Sequence, residues 1–445
     1  MYRSSDKMEE YCGVLGIYSK KTANLSDYLY DGLQSLQHRG QEGAGACWTD
    51  GSSFMSKHKL GLSTNLFSSD FNPYGNIAIG HLRYSTSNDL KAASLGPMLS
   101  TERNFALAHN GHLRVNNSNE VDTLEAVKFL EKGQAEDMIS IFESFRYKLE
   151  GSYAFVLMTK EKLIGMRDPK GIRPLLLGYI KNKYDEELWI LSSESCAIKT
   201  MGGNVIRMVE PGEIIEIDSS GIHSYKQFNH QCNEELCAFE YIYFSRADSQ
   251  IYDTCVHEFR YKSGILLSKK YNFSDADIVI GAPDSGIPAA MGYSKESNIP
   301  YVEGFVKNHY MGRSFIEPES NLRKKRVQLK LNVLEYNVSG KNVVLIDDSL
   351  VRGNTAKHMI ESLKKCGAKK VYFLLASPPI TSHCYLGIDT KSHEELIAHK
   401  KSIEEIKISL GVDFIGFIET DELDTIASSS KLCKKCFNLK YKRIL

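Results

Sequence analysis

Cys12 opens the apolar stretch Cys12-Gly13-Val14-Leu15-Gly16-Ile17, behind eleven mostly polar residues, "MYRSSDKMEEY". Cysteine attacks a carbonyl carbon as its thiolate and needs a base to become one. An α-amino group, with a pKa of about 7.7–8.0, can serve if the cysteine is the first residue of the chain. The eleven residues contain no apolar run of the roughly 7–15 residues that an export signal requires. Their removal would place nucleophile and base in one residue, so residues 1–11 read as a removable propeptide. The other reading of Cys12 is a small apolar side chain buried in a first strand, the common fate of a cysteine.

A second concentration of chemistry lies in "VVLIDDSLVRGNT". An apolar strand, Val343–Ile346, ends on the acids Asp347 and Asp348, and Ser349, Arg352, Gly353, Asn354 and Thr355 lead into a helix. Free N–H groups and the dipole at a helix start favour phosphate. Acids just upstream can accept hydrogen bonds from sugar hydroxyls or hold a metal. A helix-capping aspartate is the plainer explanation of a lone D-D-S. "GAPDSGIPAA", carrying Asp284, Ser285 and Gly286, is taken alone only a glycine-containing turn. Cys433 and Cys436 form a C-x-x-C pair, which in a reducing compartment suggests a metal or redox site that two cysteines do not complete.

These residues must be positioned by more than one core. At 445 residues, with about 100–200 per domain, two or three domains are expected, and the rhythm of the chain argues for two. Apolar residues at 42% and charged residues at 25% are globular values. A net charge of zero argues against a nucleic-acid-binding domain with a dominant basic face. Nothing approaches the roughly 18 uninterrupted apolar residues of a membrane span. Ten cysteines are too sparse for a disulfide-stapled module, which points to a reducing, cytoplasmic setting. Residues 12–110 alternate short apolar runs with turns, the pattern of strands, with one helix at Ser26–Gln37. A helical stretch over Thr123–Leu149 and strands at Tyr153–Met158, Leu188–Leu191 and Ile214–Ile217 follow. After a polar boundary at Lys226–Glu235, continuously apolar runs alternate with helical segments, which indicates a parallel sheet covered on both faces.

The blocks "CGVLGI", "LQHRGQEGAG", "GHLRYSTS" and "AHNGHL" resemble the N-terminal-nucleophile class of glutamine amidotransferases, in order and approximate spacing. That resemblance implies Cys12 as nucleophile, Arg83 on the glutamine α-carboxylate, and Asn110 with Gly111 at the oxyanion. His81 and His109 become scaffold. Asp122, in the short segment "NNSNEVDTLEA", is the candidate for the glutamine amino group. The chemistry agrees, since carboxylates suit a bidentate arginine and tetrahedral oxyanions suit paired N–H donors. The thirteen-residue block at 343–355 resembles the phosphoribosyl-pyrophosphate signature of type I phosphoribosyltransferases, and Gly281–Ala290 that family's pyrophosphate loop. Between them Lys307–Asn332, polar and basic, reads as a lid from which Lys307, Arg313 and Lys330 reach over the polyanion.

Together the halves are similar to the amidophosphoribosyltransferase family. The implied fold is an αββα glutaminase sandwich at 12–235, followed by a phosphoribosyltransferase parallel-sheet domain at 236–445. The implied reaction transfers ammonia from glutamine to phosphoribosyl pyrophosphate, with Mg²⁺ at Ser285, Asp347 and Asp348. Cys237 and Cys384 match positions that, with Cys433 and Cys436, bind a 4Fe–4S cluster in the family's leader-bearing subclass, zinc being the runner-up. Cys47, Cys196, Cys232, Cys255 and Cys366 match no such position. The family is oligomeric, so a dimer or tetramer is expected, and it is inhibited by purine nucleotides. Ala247, Val333 and Asn354 depart from its usual residues. The competing reading is a regulatory protein that binds phosphoribosyl pyrophosphate and keeps a silent glutaminase domain.

Overall fold

The computed structural model describes residues 12–84, 95–100, 102, 104–114, 122–133, 137–146, 150–181, 186–226, 234–308, 331–388, 392–427 and 431–438. Two antiparallel sheets fill the first half. One runs, edge to edge, Asn204–Met208, Leu176–Lys181, Glu187–Ser192, Gly13–Asn24, Tyr74–Arg83, Gly43–Thr49 and Phe54–Leu60. The other runs Gly221–Tyr225, Ile214–Asp218, Leu163–Arg167, Glu150–Met158, Phe105–Arg114 and Met98–Ser100.

Period-two alternation sorts the side chains between the faces of each sheet. Val14, Ile77 and Ile79 meet Ala106, Ala108, Ala154 and Val156 in one core between the sheets. Their neighbours point outward: Leu15, Ile17 and Ala78 pack under the helix Ser26–Ser35. On the other side Phe105, Leu107, Phe155 and Leu157 pack under Asp122–Glu131 and Met138–Arg146. Layers of helix, sheet, sheet and helix result, as the resemblance implies. The helical stretch expected over Thr123–Leu149 is two helices, because Gly133 follows the first and weakens continuation there. The helix expected at Ser26–Gln37 stops at Ser35 and gives way to a 3₁₀ turn, Gln37–Arg39.

The second half holds a parallel sheet in the order Ile278–Gly281, Asn342–Asp347, Lys370–Leu375 and Phe414–Phe417. Both faces are covered, so its strands are apolar throughout. Val343, Leu345, Val371 and Phe373 pack against Met359, Ile360, Leu363 and Ile406 from the helices Asn354–Lys365 and Ile403–Leu410. The second of these helices begins on a capping box: Ser402 Oγ accepts from the Glu405 amide at 3.3 Å, and the Glu405 carboxylate accepts from the Ser402 amide at 2.8 Å. The helices Val256–Lys270 and Ile287–Ser297 cover the opposite face. The tail returns to the junction, where Leu432–Cys433 pairs in parallel with Leu236–Cys237.

The halves are joined by core rather than by a linker. One apolar cluster runs from Leu29 and Leu33 through Phe239 and Tyr241 to Val344 and Ile346. Most of the expected boundary, 227–233, lies outside the described residues. At the junction Glu240 is fully buried between two arginines: Arg39 Nη2 donates to Glu240 Oε2 at 2.6 Å, and Arg173 Nη1 lies 3.6 Å from Glu240 Oε1. Arg39 Nε also donates to Glu194, whose carboxylate takes the Ser249 hydroxyl at 2.6 Å and the Arg246 amide at 2.9 Å. Burial alone would raise the Glu194 pKa. His38 and Arg39 outweigh it and hold the carboxyl far below the usual range.

Candidate functional site

The first site is built from strand ends. In the register between the first strand and Tyr74–Arg83, Gly13 faces Leu82, so the next pair along the ladder is Cys12 and Arg83. Both continue the alternation of Val14 and Ile79 and belong to the face between the sheets. Asn110, two residues beyond Ala108, belongs to the facing surface of the other sheet. A hydrogen bond crosses from sheet to sheet close by, with His81 Nε2 donating to the His109 carbonyl at 3.0 Å. Burial, then the positive charge of Arg83, lowers the His81 pKa to about 3, so this ring stays neutral and structural. His109 is held by Thr123 Oγ1 at 3.2 Å and lies against Phe155, again as scaffold. Ser193 fixes the first strand, its amide and hydroxyl bonding the Val14 carbonyl and amide, both at 3.0 Å.

Asn110 is fully buried, and among the described residues neither its Oδ1 nor its Nδ2 has a hydrogen-bond partner. A buried amide left so costs about 1–3 kcal/mol. Such a group is kept where a ligand completes it. Gly111 follows in the same strand, and Arg83 is 8% exposed and Cys12 half-buried. Asp122 is the first residue of the helix Asp122–Glu131, and its side chain lies outside the described residues.

The second site is at the carboxyl ends of the parallel strands, where ligands bind in open α/β sheets. Asp347, Asp348, Ser349 and Ser285 are all buried. Ser285 Oγ donates to Asp348 Oδ2, Ser349 Oγ donates to Asp348 Oδ1 at 2.7 Å, and the Asp348 amide donates to Asp347 Oδ1 at 2.8 Å. Gly286 must be glycine for this approach, since a Cβ there would stand 2.5 Å from the Ile346 carbonyl oxygen. Gly353, with φ of +87°, turns the chain into the helix at Asn354, followed by Thr355. Arg260, buried in the covering helix, donates to the Tyr241 and Ser245 carbonyls at 2.8 Å each and lies within electrostatic reach of Asp348.

The cations expected over a polyanion are arranged differently. Lys307 pairs with Asp284, and Arg352 pairs with Glu395. Phe305–Lys307 and Leu331–Val333 form an antiparallel pair at the base of the expected lid. Arg313 and Lys330 lie outside the described residues.

Cys237, Cys384, Cys433 and Cys436 converge. Cys237 and Cys433 are register partners, and the sulfurs of all four influence one another's ionisation. Burial raises the thiol pKa of Cys433 to about 11 and pushes those of Cys237 and Cys436 well above the ordinary thiol value. The Leu386 amide donates to Cys384 Sγ at 3.2 Å, and Arg173 lies within electrostatic reach of Cys237. Among the described residues no group of three or more His, Cys, Asp or Glu side chains is arranged to hold a metal ion as it stands. The four thiols are therefore neighbours, not a closed tetrahedron. Cys47 and Cys196 are buried and Cys255 and Cys366 half-buried, while Cys232 lies outside the described residues. Sequence reasoning passed over Glu194, Glu240, Arg260 and Glu395. Arg39 stood inside a quoted block, "LQHRGQEGAG", without a role.

Comparison with known proteins bears on both sites. Residues 81–200 match a family model described as a glutamine amidotransferase domain, and 260–383 one described as a phosphoribosyl transferase domain. The amidophosphoribosyltransferase of Methanocaldococcus jannaschii is 38% identical over 97% of this chain and 97% of its own length. That of Bacillus subtilis is 37% identical over 98% of this chain and 94% of its own. A solved structure of the B. subtilis glutamine phosphoribosylpyrophosphate amidotransferase, complexed with ADP and GMP, superposes with a TM-score of 0.86 at 36% identity, covering 97% of each chain. A structure described as the allosteric regulatory enzyme of purine biosynthesis gives 0.87 at 37% identity, covering 97% of this chain and 96% of that one.

The orphaned amide makes a prediction that separates function from stability. Asn110→Leu, close in volume and without polar atoms, should leave the denaturation midpoint unchanged or raise it, by up to the ~1–3 kcal/mol cost of an unmet amide. A clear loss of stability in urea unfolding would show that the amide is satisfied in the resting protein.

Proposed function

The chain belongs to the amidophosphoribosyltransferase family, and from that premise we propose that its two sites divide one reaction between them, with residue roles and cofactors as follows. The reaction is the first committed step of purine synthesis: glutamine, phosphoribosyl pyrophosphate and water give 5-phosphoribosylamine, glutamate and pyrophosphate. Once residues 1–11 are removed, the free α-amine of Cys12 takes the thiol proton and the thiolate attacks the glutamine side-chain carbonyl. Negative charge grows on that oxygen, where Asn110 Nδ2 and the Gly111 amide donate to it. Arg83 holds the α-carboxylate, and Asp122 is the group proposed for the α-amine. The observation that carries this reading is the buried, unpartnered amide of Asn110 on the face opposite Cys12 and Arg83.

Collapse of the tetrahedral adduct breaks the C–N bond, the Cys12 α-ammonium returning its proton to the leaving ammonia, and water then hydrolyses the thioester to release glutamate. The ammonia passes through the protein to C1 of phosphoribosyl pyrophosphate, where it displaces pyrophosphate. In this reading Asp347 and Asp348 hold the ribose hydroxyls and the backbone around Ser349, Gly353, Asn354 and Thr355 takes the phosphate. The Asp284–Gly286 loop, with Lys307, Arg313 and Lys330, takes the pyrophosphate, and Arg352 adds a cation. Ser285, Asp347 and Asp348 form an oxygen donor set suited to Mg²⁺. The ion, when bound, neutralises the leaving pyrophosphate. Purine nucleotides are proposed as inhibitors, following the nucleotides in the B. subtilis structure. A homo-oligomer in the cytoplasm is proposed from the family, and no helix among the described residues is long and apolar enough to cross a membrane. A silent glutaminase domain is not favoured, since Cys12, Arg83 and Asn110 are all present in the sequence.

For the four cysteines a 4Fe–4S cluster is the preferred occupant. An all-thiolate set with an amide donated to sulfur and an arginine beside it suits a cluster that carries negative charge. When bound, it would tie the C-terminal tail to the junction as a structural group. Zinc is the runner-up.

The maturation claim is tested by intact mass and activity of one preparation. Active enzyme should begin at Cys12, and Cys12→Ala should lose at least 10³-fold in glutamine-dependent turnover while keeping product formation from ammonium salts. Full activity in protein that retains Met1–Tyr11 contradicts it. Metal analysis of anaerobically purified protein tests the cluster: brown protein with about four irons per chain is expected, and colourless, active protein with stoichiometric zinc refutes it.

A further inference from the structure

Arg352 stands in the loop that leads into the helix Asn354–Lys365, two residues before its start, yet its guanidinium is already committed. Its Nη2 pairs with Glu395 Oε2, from the short 3₁₀ turn His393–Glu395, and neither side chain is more than a quarter exposed (16% and 24%). The pairing is anchored on both sides. The Ile397 amide donates to the Val351 carbonyl at 2.9 Å, one residue from Arg352, and Leu396 is fully buried between Glu395 and Ile397. Ile397 Cδ1 also lies where a Cβ on Gly353 would come within 3.0 Å. Glu395 is therefore held against the phosphate loop by backbone and core contacts, and not by a chance meeting of two long surface side chains.

A carboxylate beside an arginine in an anion-binding loop occupies the place that a phosphate oxygen would take, with the same donor geometry. It also sets a negative charge next to the incoming polyanion. We propose that Glu395 is an internal substitute for the substrate's phosphate: it satisfies Arg352 in the empty site, must yield its guanidinium when phosphoribosyl pyrophosphate binds, and so sets the affinity for that substrate. The proposal rests on the reading of the 347–355 loop as the phosphoribosyl-pyrophosphate site. It adds a residue, from a turn some 40 positions downstream, that opposes binding.

Two states follow from the exchange, Arg352–Glu395 without substrate and Arg352–phosphate with it. A group that competes with substrate raises KM for that substrate and leaves kcat alone. Neutralising it should do the reverse. Glu395→Gln keeps size and an acceptor oxygen but removes the charge.

The test uses full-length matured enzyme with ammonium as the nitrogen source, so that the glutaminase site plays no part. Glu395→Gln should lower KM for phosphoribosyl pyrophosphate about threefold to tenfold, the size expected for one partly screened charge near a phosphate. Its kcat should stay within about twofold. Isothermal titration with inorganic pyrophosphate should show a gain in affinity for the variant that shrinks as salt rises. Glu395→Ala, which also removes the acceptor, should shift KM in the same direction. An unchanged or raised KM in both variants, with unfolding midpoints close to wild type, overturns the proposal and makes Glu395 a positioning residue for Arg352. A lowered midpoint without a change in KM makes it purely structural and overturns it equally. Failure of wild-type protein to bind phosphoribosyl pyrophosphate would instead remove the underlying site reading.

Discussion

At the joint between the two halves of this molecule lies Glu240, a carboxylate with no exposure to water that sits between Arg39 and Arg173. A charge placed so deep is tolerated only when paired, and removing one partner of such a group typically costs about 3–5 kcal/mol. The arginines come from the first half and the glutamate from the junction segment. The ion pairs therefore hold one rotation of one domain on the other, where apolar packing alone would allow sliding. Arg39 carries the constraint on to Glu194, and the neighbouring Ser193 is bonded to Val14, two residues from Cys12, the proposed nucleophile. Arg260 bonds the Tyr241 and Ser245 carbonyls of the same junction segment and lies within electrostatic reach of Asp348.

This arrangement fits the chemistry. In the proposed reaction, ammonia made at Cys12 is useful only if it meets phosphoribosyl pyrophosphate before it meets solvent, so the sites need a fixed spacing and a dry path. The same segment of chain brings the four cysteines together. Cys237 lies three residues before Glu240, and Arg173, which pairs with Glu240, also lies within electrostatic reach of Cys237. In the proposed reading, an occupant of the cysteine site would brace the joint that the ion pairs set.

What could be read in the sequence was local. Period-two alternation placed the strands of the first half, and the continuously apolar run Val343–Ile346 announced a sheet covered on both faces. The acids at its end were found because strand, loop and helix start are consecutive in the chain. Cys12 stood out as a nucleophile behind a short polar leader, but Arg83 and Asn110 were legible only through the resemblance, since their approach to it depends on pairing between distant strands and on the packing of one sheet over the other, which no periodicity encodes. The junction was not legible at all. Arg39, Glu194 and Glu240 are ordinary charged residues in sequence, normally solvated, and only the folded partners turn them into a buried network. Glu395 was missed for the same reason. The helical stretch over Thr123–Leu149 read as one element, although the first helix ends at Glu131, two residues before Gly133.

The central claim, that glutaminase and transferase form one enzyme with a closed path between them, is tested most directly with nitrogen label. Matured enzyme is given glutamine labelled with ¹⁵N in its side-chain amide, phosphoribosyl pyrophosphate and an excess of unlabelled ammonium, and the phosphoribosylamine is trapped and its isotope content measured. A fixed joint predicts that the product keeps most of the label despite the surrounding pool. Label diluted in proportion to the free ammonium would mean that the two sites exchange through solvent, and the account would fail.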